Sequence, residues 1–191
     1  MPKRAFTIIL SVFVLVVLVF WLFYLFDGNF HSLKTKLGYP KTQKVELLFE
    51  KAKDLIQKQD FKGAKGLYEN ILKLSPENSD AKLALARTLA WDKQYEKAQV
   101  LVSKILEKDS KNIEGRLLSG TIYAWQKNFP KSVEILEGIL KDNPNHIETL
   151  LQLVRVYLWQ GKDKEAHLLI KKILELDPEN ADAKALWKES S

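Results

Sequence analysis

Apolar and polar residues alternate with the spacing of amphipathic helices from residue 45 onward. Val45, Leu48 and Ala52 recur at intervals of three and four, which places them on one face of a helix. A second stretch with the same spacing begins at Phe61. Alternating β-branched runs and two-residue hairpin turns are missing from the sequence, so the pattern predicts an all-α protein.

The helical pattern repeats every 34 residues. The period is visible at three sets of positions: Pro76, Ser110, Pro144 and Pro178; Gln57, Trp91, Trp125 and Trp159; Ala64, Ala98, Ser132 and Ala166. A fixed period of this size is typical of a solenoid, in which each unit buries its apolar face against its neighbours. We predict a repeat domain over residues 44–180 with units at 45–78, 79–112, 113–146 and 147–180, and a capping helix at 181–191.

Each predicted unit ends in a variant of Pro-Glu-Asn. Asn78, Asn112 and Asn180 occupy the third position of this segment, and His146 replaces asparagine in the third unit. An asparagine side chain accepts a hydrogen bond from a free backbone N–H at the start of a helix. We therefore expect these asparagines to cap the helices that follow them.

Residues 5–26 are uncharged and almost wholly apolar. Twenty-two helical residues rise about 33 Å, enough to cross a hydrocarbon core of about 30 Å. We predict a single transmembrane helix, preceded by a short basic N-terminus at 1–4 and followed by a linker at 27–43. A cleaved signal peptide and a buried soluble helix are the alternatives. The length of the run and its aromatic end favour the uncleaved anchor.

The net charge of +6 is concentrated near the predicted anchor. Six basic residues and one acid precede Val45, whereas 24 basic and 23 acidic residues follow. The repeats therefore carry no basic excess of the kind that nucleic-acid binding requires. Lys3 and Arg4 favour a cytoplasmic N-terminus and extracytoplasmic repeats. Four lysines after the apolar run favour the opposite, cytoplasmic placement of the repeats.

No motif for catalysis or metal binding is recognisable. The chain lacks cysteine, and His31, His146 and His167 are isolated from one another. Metalloprotease, serine-hydrolase and phosphate-loop motifs are missing from the sequence. We predict that the protein is not an enzyme and uses no cofactor, metal or small-molecule substrate.

The 34-residue unit resembles the tetratricopeptide repeat (TPR). The third unit carries the pattern of small, aromatic, small, bulky and proline positions as Gly120, Tyr123, Ser132, Leu136, Ile139 and Pro144. The chain departs from the pattern at an early tryptophan position, occupied by Lys82, Arg116 and Leu150, and at Val154, which stands at a small-residue position. The resemblance implies helical hairpins stacked into a solenoid.

The resemblance also implies a concave groove lined by the first helix of each unit. The residues predicted to face it are Phe49, Lys53 and Gln57; Leu83, Arg87 and Trp91; Leu117, Thr121 and Trp125; Leu151, Arg155 and Trp159. Tryptophan and arginine are the types most enriched at binding hot spots. The sequence leaves open whether the three tryptophans contact a partner or pack beneath the second helices as core.

We predict a membrane-anchored scaffold that binds a partner protein or peptide. A row of acids at the second residue of each unit (Glu46, Asp80, Glu114 and Glu148) disfavours an acidic chaperone tail and favours a basic or mixed partner. One alternative comes from a likeness of Leu89-Ala90-Trp91 and Tyr123-Ala124-Trp125-Gln126 to envelope polysaccharide-export proteins, whose tryptophans would stack on sugars. Self-association is a third, without support from a GxxxG pattern in the anchor.

Overall fold

The protein is described by a computed structural model that covers residues 40–190. Residues 48–190 form one compact unit. The predicted basic N-terminus at 1–4, the predicted transmembrane helix at 5–26 and most of the predicted linker at 27–43 lie outside the described residues. Among the helices of residues 40–190, we find no segment with the length and hydropathy of a membrane span.

The described residues form nine α-helices and no strand. Eight of them pair into four hairpins: α1 (Lys41–Gln57) with α2 (Phe61–Leu74), α3 (Ser79–Trp91) with α4 (Tyr95–Lys108), α5 (Ile113–Trp125) with α6 (Phe129–Asp142), and α7 (Ile147–Trp159) with α8 (Asp163–Leu176). A final helix, α9 (Ala181–Glu189), follows the fourth hairpin. The first helix begins before Val45, because residues 41–44 are mainly polar and give no apolar spacing to detect.

The turn inside each hairpin contains one residue in the left-handed conformation. Gln59, Lys93, Lys127 and Gly161 have φ angles of 59°, 60°, 61° and 69°. Such a residue after a helix lets the chain reverse while the last carbonyls remain hydrogen-bonded. Only the fourth hairpin uses glycine, the residue that adopts this conformation without steric strain.

Helix starts follow the predicted capping pattern. The side-chain oxygens of Asn78, Asn112 and Asn180 accept hydrogen bonds from backbone N–H groups three residues later. His146 does the same through Nδ1, which accepts from the N–H of Thr149 at 3.2 Å. The expectation from the Pro-Glu-Asn segments is therefore confirmed, and His146 performs the same task in the one segment whose third position is not asparagine.

The core lies between the two helices of each hairpin and between successive hairpins. Four isoleucines at one repeat position, Ile71, Ile105, Ile139 and Ile173, are buried. Each stabilises the fold by about 1.5–3 kcal/mol relative to an exposed side chain. Helices α5 and α6 approach closely at Gly120, where an added Cβ would lie 3.1 Å from Leu136 Cδ2. At the equivalent position Val154 is fully buried beside Ile170.

The first helices form one face of the stack. Each of α3, α5 and α7 contacts the first helix of the next repeat, α9 included, whereas the second helices make no comparable contacts with one another within residues 48–190. A stack that is closer on one side curves toward that side. The first helices therefore line the concave face, as the resemblance implies.

The C-terminal helix α9 covers the last hairpin. Ala183 is buried against α7 and α8, while Lys184, Lys188 and Glu189 are exposed. The rings of His167 and Trp187 lie 4.6 Å apart. This arrangement buries one face of α9 and leaves the other polar.

Candidate functional site on the concave face

Three groove residues are predicted in each unit, and the first of the three lies mostly in the core. Leu83, Leu117 and Leu151 are only 6%, 7% and 6% exposed, and Phe49 is half-buried. The three leucines were predicted to face the groove, but their side chains pack into the core. They support the concave surface from beneath and offer a partner little area.

The second position holds the polar side chains of the groove, and their surroundings differ. Lys53 Nζ lies 2.8 Å from Glu50 Oε1 on the same helix. Thr121 Oγ1 donates to the Leu117 carbonyl at 2.8 Å. Arg155 Nη2 lies 3.7 Å from Asp182 Oδ2 on α9.

Arg87 stands apart from its repeat equivalents. Its side chain is exposed, and its guanidinium has no ion pair or hydrogen bond within residues 40–190. The N-terminal half of the groove therefore presents a cation whose hydrogen-bonding capacity is unused.

The third position holds the tryptophans, which are partly packed and partly open. Trp91 and Trp159 are 40% and 49% exposed, and Trp125 is half-buried. The ring centroid of Trp91 lies 6.1 Å from that of Phe61, the first residue of α2. A ring held on one side and open on the other presents apolar area at little further entropic cost.

A concave pocket joins the first two hairpins. We call it the N-terminal pocket; its volume is about 400 Å³, and it is lined by Phe49, Lys53, Ile56, Gln57, Tyr68, Ala84, Arg87, Thr88 and Trp91. The rings of Phe49 and Tyr68 lie 5.8 Å apart at an angle of 60°. The pocket thus brings together five of the predicted groove residues, Gln57 included, and its lining contains two cations and no acid.

A second pocket joins the last two hairpins. We call it the C-terminal pocket; its volume is about 350 Å³, and it is lined by Ala124, Trp125, Lys127, Phe129 and Trp159. Two of the predicted tryptophans form it together with a phenylalanine at the start of α6. The pocket is mainly aromatic, and Arg155 is not part of its lining.

A cavity of about 370 Å³ also lies away from the predicted groove. It is lined by residues of α2, α3 and α4: Lys65, Glu69, Leu89, Glu96, Lys97, Val100 and Leu101. Its two lysines are matched by two glutamates, and Lys65 Nζ lies 3.8 Å from Glu69 Oε1. This cavity therefore has no unbalanced charge to select a partner.

The pKa values of two tyrosines, one in each half of the repeat domain, are affected by neighbouring charges of opposite sign. Burial raises the pKa of Tyr68, while the positive charges of Lys53 and Arg87 oppose that rise. Burial also raises the pKa of Tyr157, and there Glu137 and Glu165 add to the rise. The Tyr157 hydroxyl donates to Glu137 Oε1 at 3.2 Å.

The predicted acidic row is exposed along the starts of the first helices. Asp80, Glu114 and Glu148 lie in the first turns of α3, α5 and α7, and Glu46 lies near the start of α1. A carboxylate there is favoured by the helix dipole. Within residues 40–190, no three His, Asp or Glu side chains are grouped to hold a metal ion.

The aromatic residues that begin the second helices are not among the predicted groove residues. Phe61 packs on Trp91, and Phe129 lines the C-terminal pocket with Trp159. A signal was available, because Phe61, Tyr95 and Phe129 are separated by 34 residues. Their position on the second helix concealed that they reach the edge of a groove formed by the first helices.

The tetratricopeptide repeat family model matches residues 55–122 and 123–187, together well over half of the chain. The chain belongs to the tetratricopeptide repeat family. No curated protein matches it.

Solved TPR structures share the fold of this TPR protein. TTC0263, a thermophilic TPR protein from Thermus thermophilus, is 18% identical, with a TM-score of 0.64 over 76% of this chain and 82% of that one. Pseudomonas aeruginosa pilF is 21% identical, with a TM-score of 0.62 over 78% and 70%. YrrB, described as a TPR protein with an unusual peptide-binding site, is 18% identical, with a TM-score of 0.58 over 75% and 74%. Identities this low establish the fold alone.

Proposed function

We propose that this TPR protein binds a partner protein or peptide on its concave face and supports assembly of a complex at a membrane. The observation that carries the proposal is the run of partly exposed tryptophans beside two concave pockets of about 400 and 350 Å³. Pockets lined by aromatic rings with a few polar groups are the usual form of a recognition site. The peptide-binding site described for YrrB, which has the same fold, adds support.

The partner that suits this face is a peptide of mixed charge. The acidic row at the helix starts favours basic groups, and Lys53 and Arg87 farther along the same helices favour acidic ones. Binding and assembly need no reaction chemistry, and the chain lacks recognisable catalytic motifs. We therefore propose a scaffold without enzymatic activity, cofactor or metal.

The membrane part of the proposal rests on residues 5–26 and the basic residues before them. A run of 22 apolar residues suits a single-pass anchor, and Lys3 and Arg4 favour extracytoplasmic repeats. Carbonate extraction of membranes from the producing cells should leave the chain in the pellet. Protease added outside a sealed cytoplasmic membrane should then cut the repeats. Release of the chain by carbonate would contradict the anchor. Protection of the repeats from protease until that membrane is opened would contradict the proposed orientation.

Partner binding is tested by photocrosslinking in the full-length chain. A photoreactive phenylalanine at Gln57 would face the N-terminal pocket, and the same residue at Val100, which is 54% exposed on α4, is the matched control. We expect a specific protein adduct from position 57 and none from position 100. Equal adducts from both positions, or adducts from position 100 alone, would remove the concave face as the binding surface.

A further inference from the structure

The four groove positions that carry polar side chains are equivalent in sequence but not in the charge they offer. Lys53, Arg87, Thr121 and Arg155 are 34 residues apart. Arg155 is held near Asp182, and Thr121 has no charge. Lys53 and Arg87 are the two cations that line a single pocket. Of the three cations at these positions, only Arg87 is without an ion pair in the described residues, and it lines the N-terminal pocket beside Lys53.

The walls of the N-terminal pocket are apolar. Phe49, Ile56, Tyr68 and Trp91 contribute rings and an aliphatic chain, and Thr88 uses its hydroxyl to donate to the Ala84 carbonyl at 2.8 Å. A ligand group that fills this space gains apolar contact and lies beside two cations. Partial removal from water strengthens the attraction between the cations and an anion.

Arg87 is better placed than Lys53 to be the main contact. Lys53 already lies 2.8 Å from Glu50, while Arg87 has no ion pair within the described residues. A guanidinium presents parallel N–H groups that match both oxygens of a carboxylate. The lowering effects of Lys53 and Arg87 on the pKa of Tyr68 agree with the two cations converging on one region.

We propose that the N-terminal pocket binds a carboxylate adjacent to a bulky apolar side chain of the partner, with Arg87 as its main contact. The inference rests on the proposed function and names the ligand chemistry of that site. The carboxylate belongs either to an Asp or Glu side chain or to a C-terminus. The apolar side chain occupies the space between Phe49 and Trp91.

The acidic row does not prevent this recognition. Asp80 precedes Arg87 by seven residues, or about 10 Å along the helix. Exposed charges at that separation are largely screened at physiological ionic strength. The row and the pocket therefore act on different parts of a mixed-charge peptide, and the row's repulsion of a wholly acidic tail still holds.

The test uses the full-length chain in detergent micelles, with arginine Nε and tryptophan indole nitrogens labelled for NMR. The probes are acetyl-Gly-Phe-Glu-Phe-Gly-amide and its Gln counterpart. We expect saturable shifts at Arg87 and Trp91 and about fivefold tighter binding of the Glu peptide. Acetyl-Gly-Gly-Phe with a free C-terminus and its amide show whether a terminal carboxylate serves as well.

Two variants identify the residue responsible. Arg87→Gln should abolish the preference for Glu over Gln, whereas Arg155→Gln, the matched control at the same repeat position, should retain it. Both side chains are at least partly exposed, so neither change removes core packing. If Arg87→Gln still binds the Glu peptide more tightly than the Gln peptide, Arg87 is not the main contact of the carboxylate.

The peptide-binding test and the crosslinking test can fail independently of each other. Equal binding of the Glu and Gln peptides, or no binding of either, overturns the carboxylate pocket even if crosslinking places a partner on the concave face. A carboxylate preference without any crosslink from position 57 supports the pocket chemistry and contradicts the proposed function.

Discussion

The N-terminal and C-terminal pockets are built from the same repeat but differ in charge. The first is lined by Lys53 and Arg87 among aromatic side chains, and the second by two tryptophans, a phenylalanine and Lys127. Arginine occupies the same repeat position in hairpins two and four, yet only Arg155 has an acidic neighbour. The comparison shows that in a repeat protein the neighbouring helix decides whether an equivalent side chain is available.

The difference between Arg87 and Arg155 comes from helix α9. Asp182 lies in the first turn of α9, where the helix dipole favours a carboxylate, and from there it approaches Arg155. Both side chains are more than one third exposed, so the pair adds little to stability. Its larger consequence is that it reduces the free positive charge of the C-terminal half.

The largest expected effect is on the free energy of unfolding, and it compares the stability of the first and fourth hairpins. Ile71→Ala and Ile173→Ala remove fully buried side chains at the same repeat position in hairpins one and four. Each should lower the free energy of unfolding by about 2–5 kcal/mol, because a cavity adds to the lost apolar burial. Urea unfolding followed by circular dichroism at 222 nm measures both. If the urea midpoint of Ile71→Ala equals that of the unmodified protein, the first hairpin unfolds separately from the rest.

A smaller effect distinguishes the hairpin turns. Gly161→Ala should destabilise the protein by about 1 kcal/mol, because alanine is strained at a φ of 69°. The added Cβ itself meets nothing within 4 Å, so the loss comes from the backbone alone. Lys127→Gly at the equivalent position should stabilise by about half as much, since glycine also adds entropy to the unfolded chain. Thermal melts of the two variants should shift in opposite directions, and a shared direction would contradict this explanation.

A still smaller effect on stability accompanies a change in binding. Asp182→Asn should alter the free energy of unfolding by less than about 1 kcal/mol, because the ion pair is exposed. It should also release Arg155, so that the Glu-containing peptide now shifts the Arg155 Nε resonance. Glu179→Gln, an exposed acid just before α9, is the control and should leave Arg155 unresponsive. If Arg155 in the Asp182 variant does not respond to the peptide, the neighbouring acid is not what distinguishes Arg155 from Arg87.

The smallest expected effect is on tyrosine titration. Removing a cation by Arg87→Gln should raise the pKa of Tyr68 further, whereas Glu137→Gln should lower the pKa of Tyr157. Both pKa values lie above the ordinary value of 10.0, so the stability these rings contribute is present below pH 10 and is lost as the pH rises through the raised values. Tyrosine ¹³Cζ shifts followed against pH resolve the two residues. Shifts of the same sign in both variants would refute the opposite charges of the two halves.

The 34-residue period predicted the hairpins, and the asparagines predicted the helix starts. These features are local, because each depends on residues a few positions apart. The period also predicted which residues share a groove position. It could not predict that Leu83, Leu117 and Leu151 are core while Lys53 and Arg87 line a pocket, since those outcomes depend on helices from the next repeat.

The pairing of Arg155 with Asp182 was equally hidden from the sequence. The two residues lie 27 positions apart, which is not a repeat distance, and nothing in either unit alone indicates their contact. The same holds for Phe61 and Trp91, whose rings meet across two hairpins. Interactions between repeats, more than those within them, determine the chemistry of the concave face.

The contacts between successive first helices have a further consequence for valency. Because α3 packs on α5, α5 on α7 and α7 on α9, the stacking of the first helices sets the distance between the two pockets. A partner with two recognition motifs gains avidity only when the segment between them spans that separation, since the second motif then binds at a high effective concentration. If the proposed function holds, the stack selects partners by the spacing of their motifs as well as by their side chains.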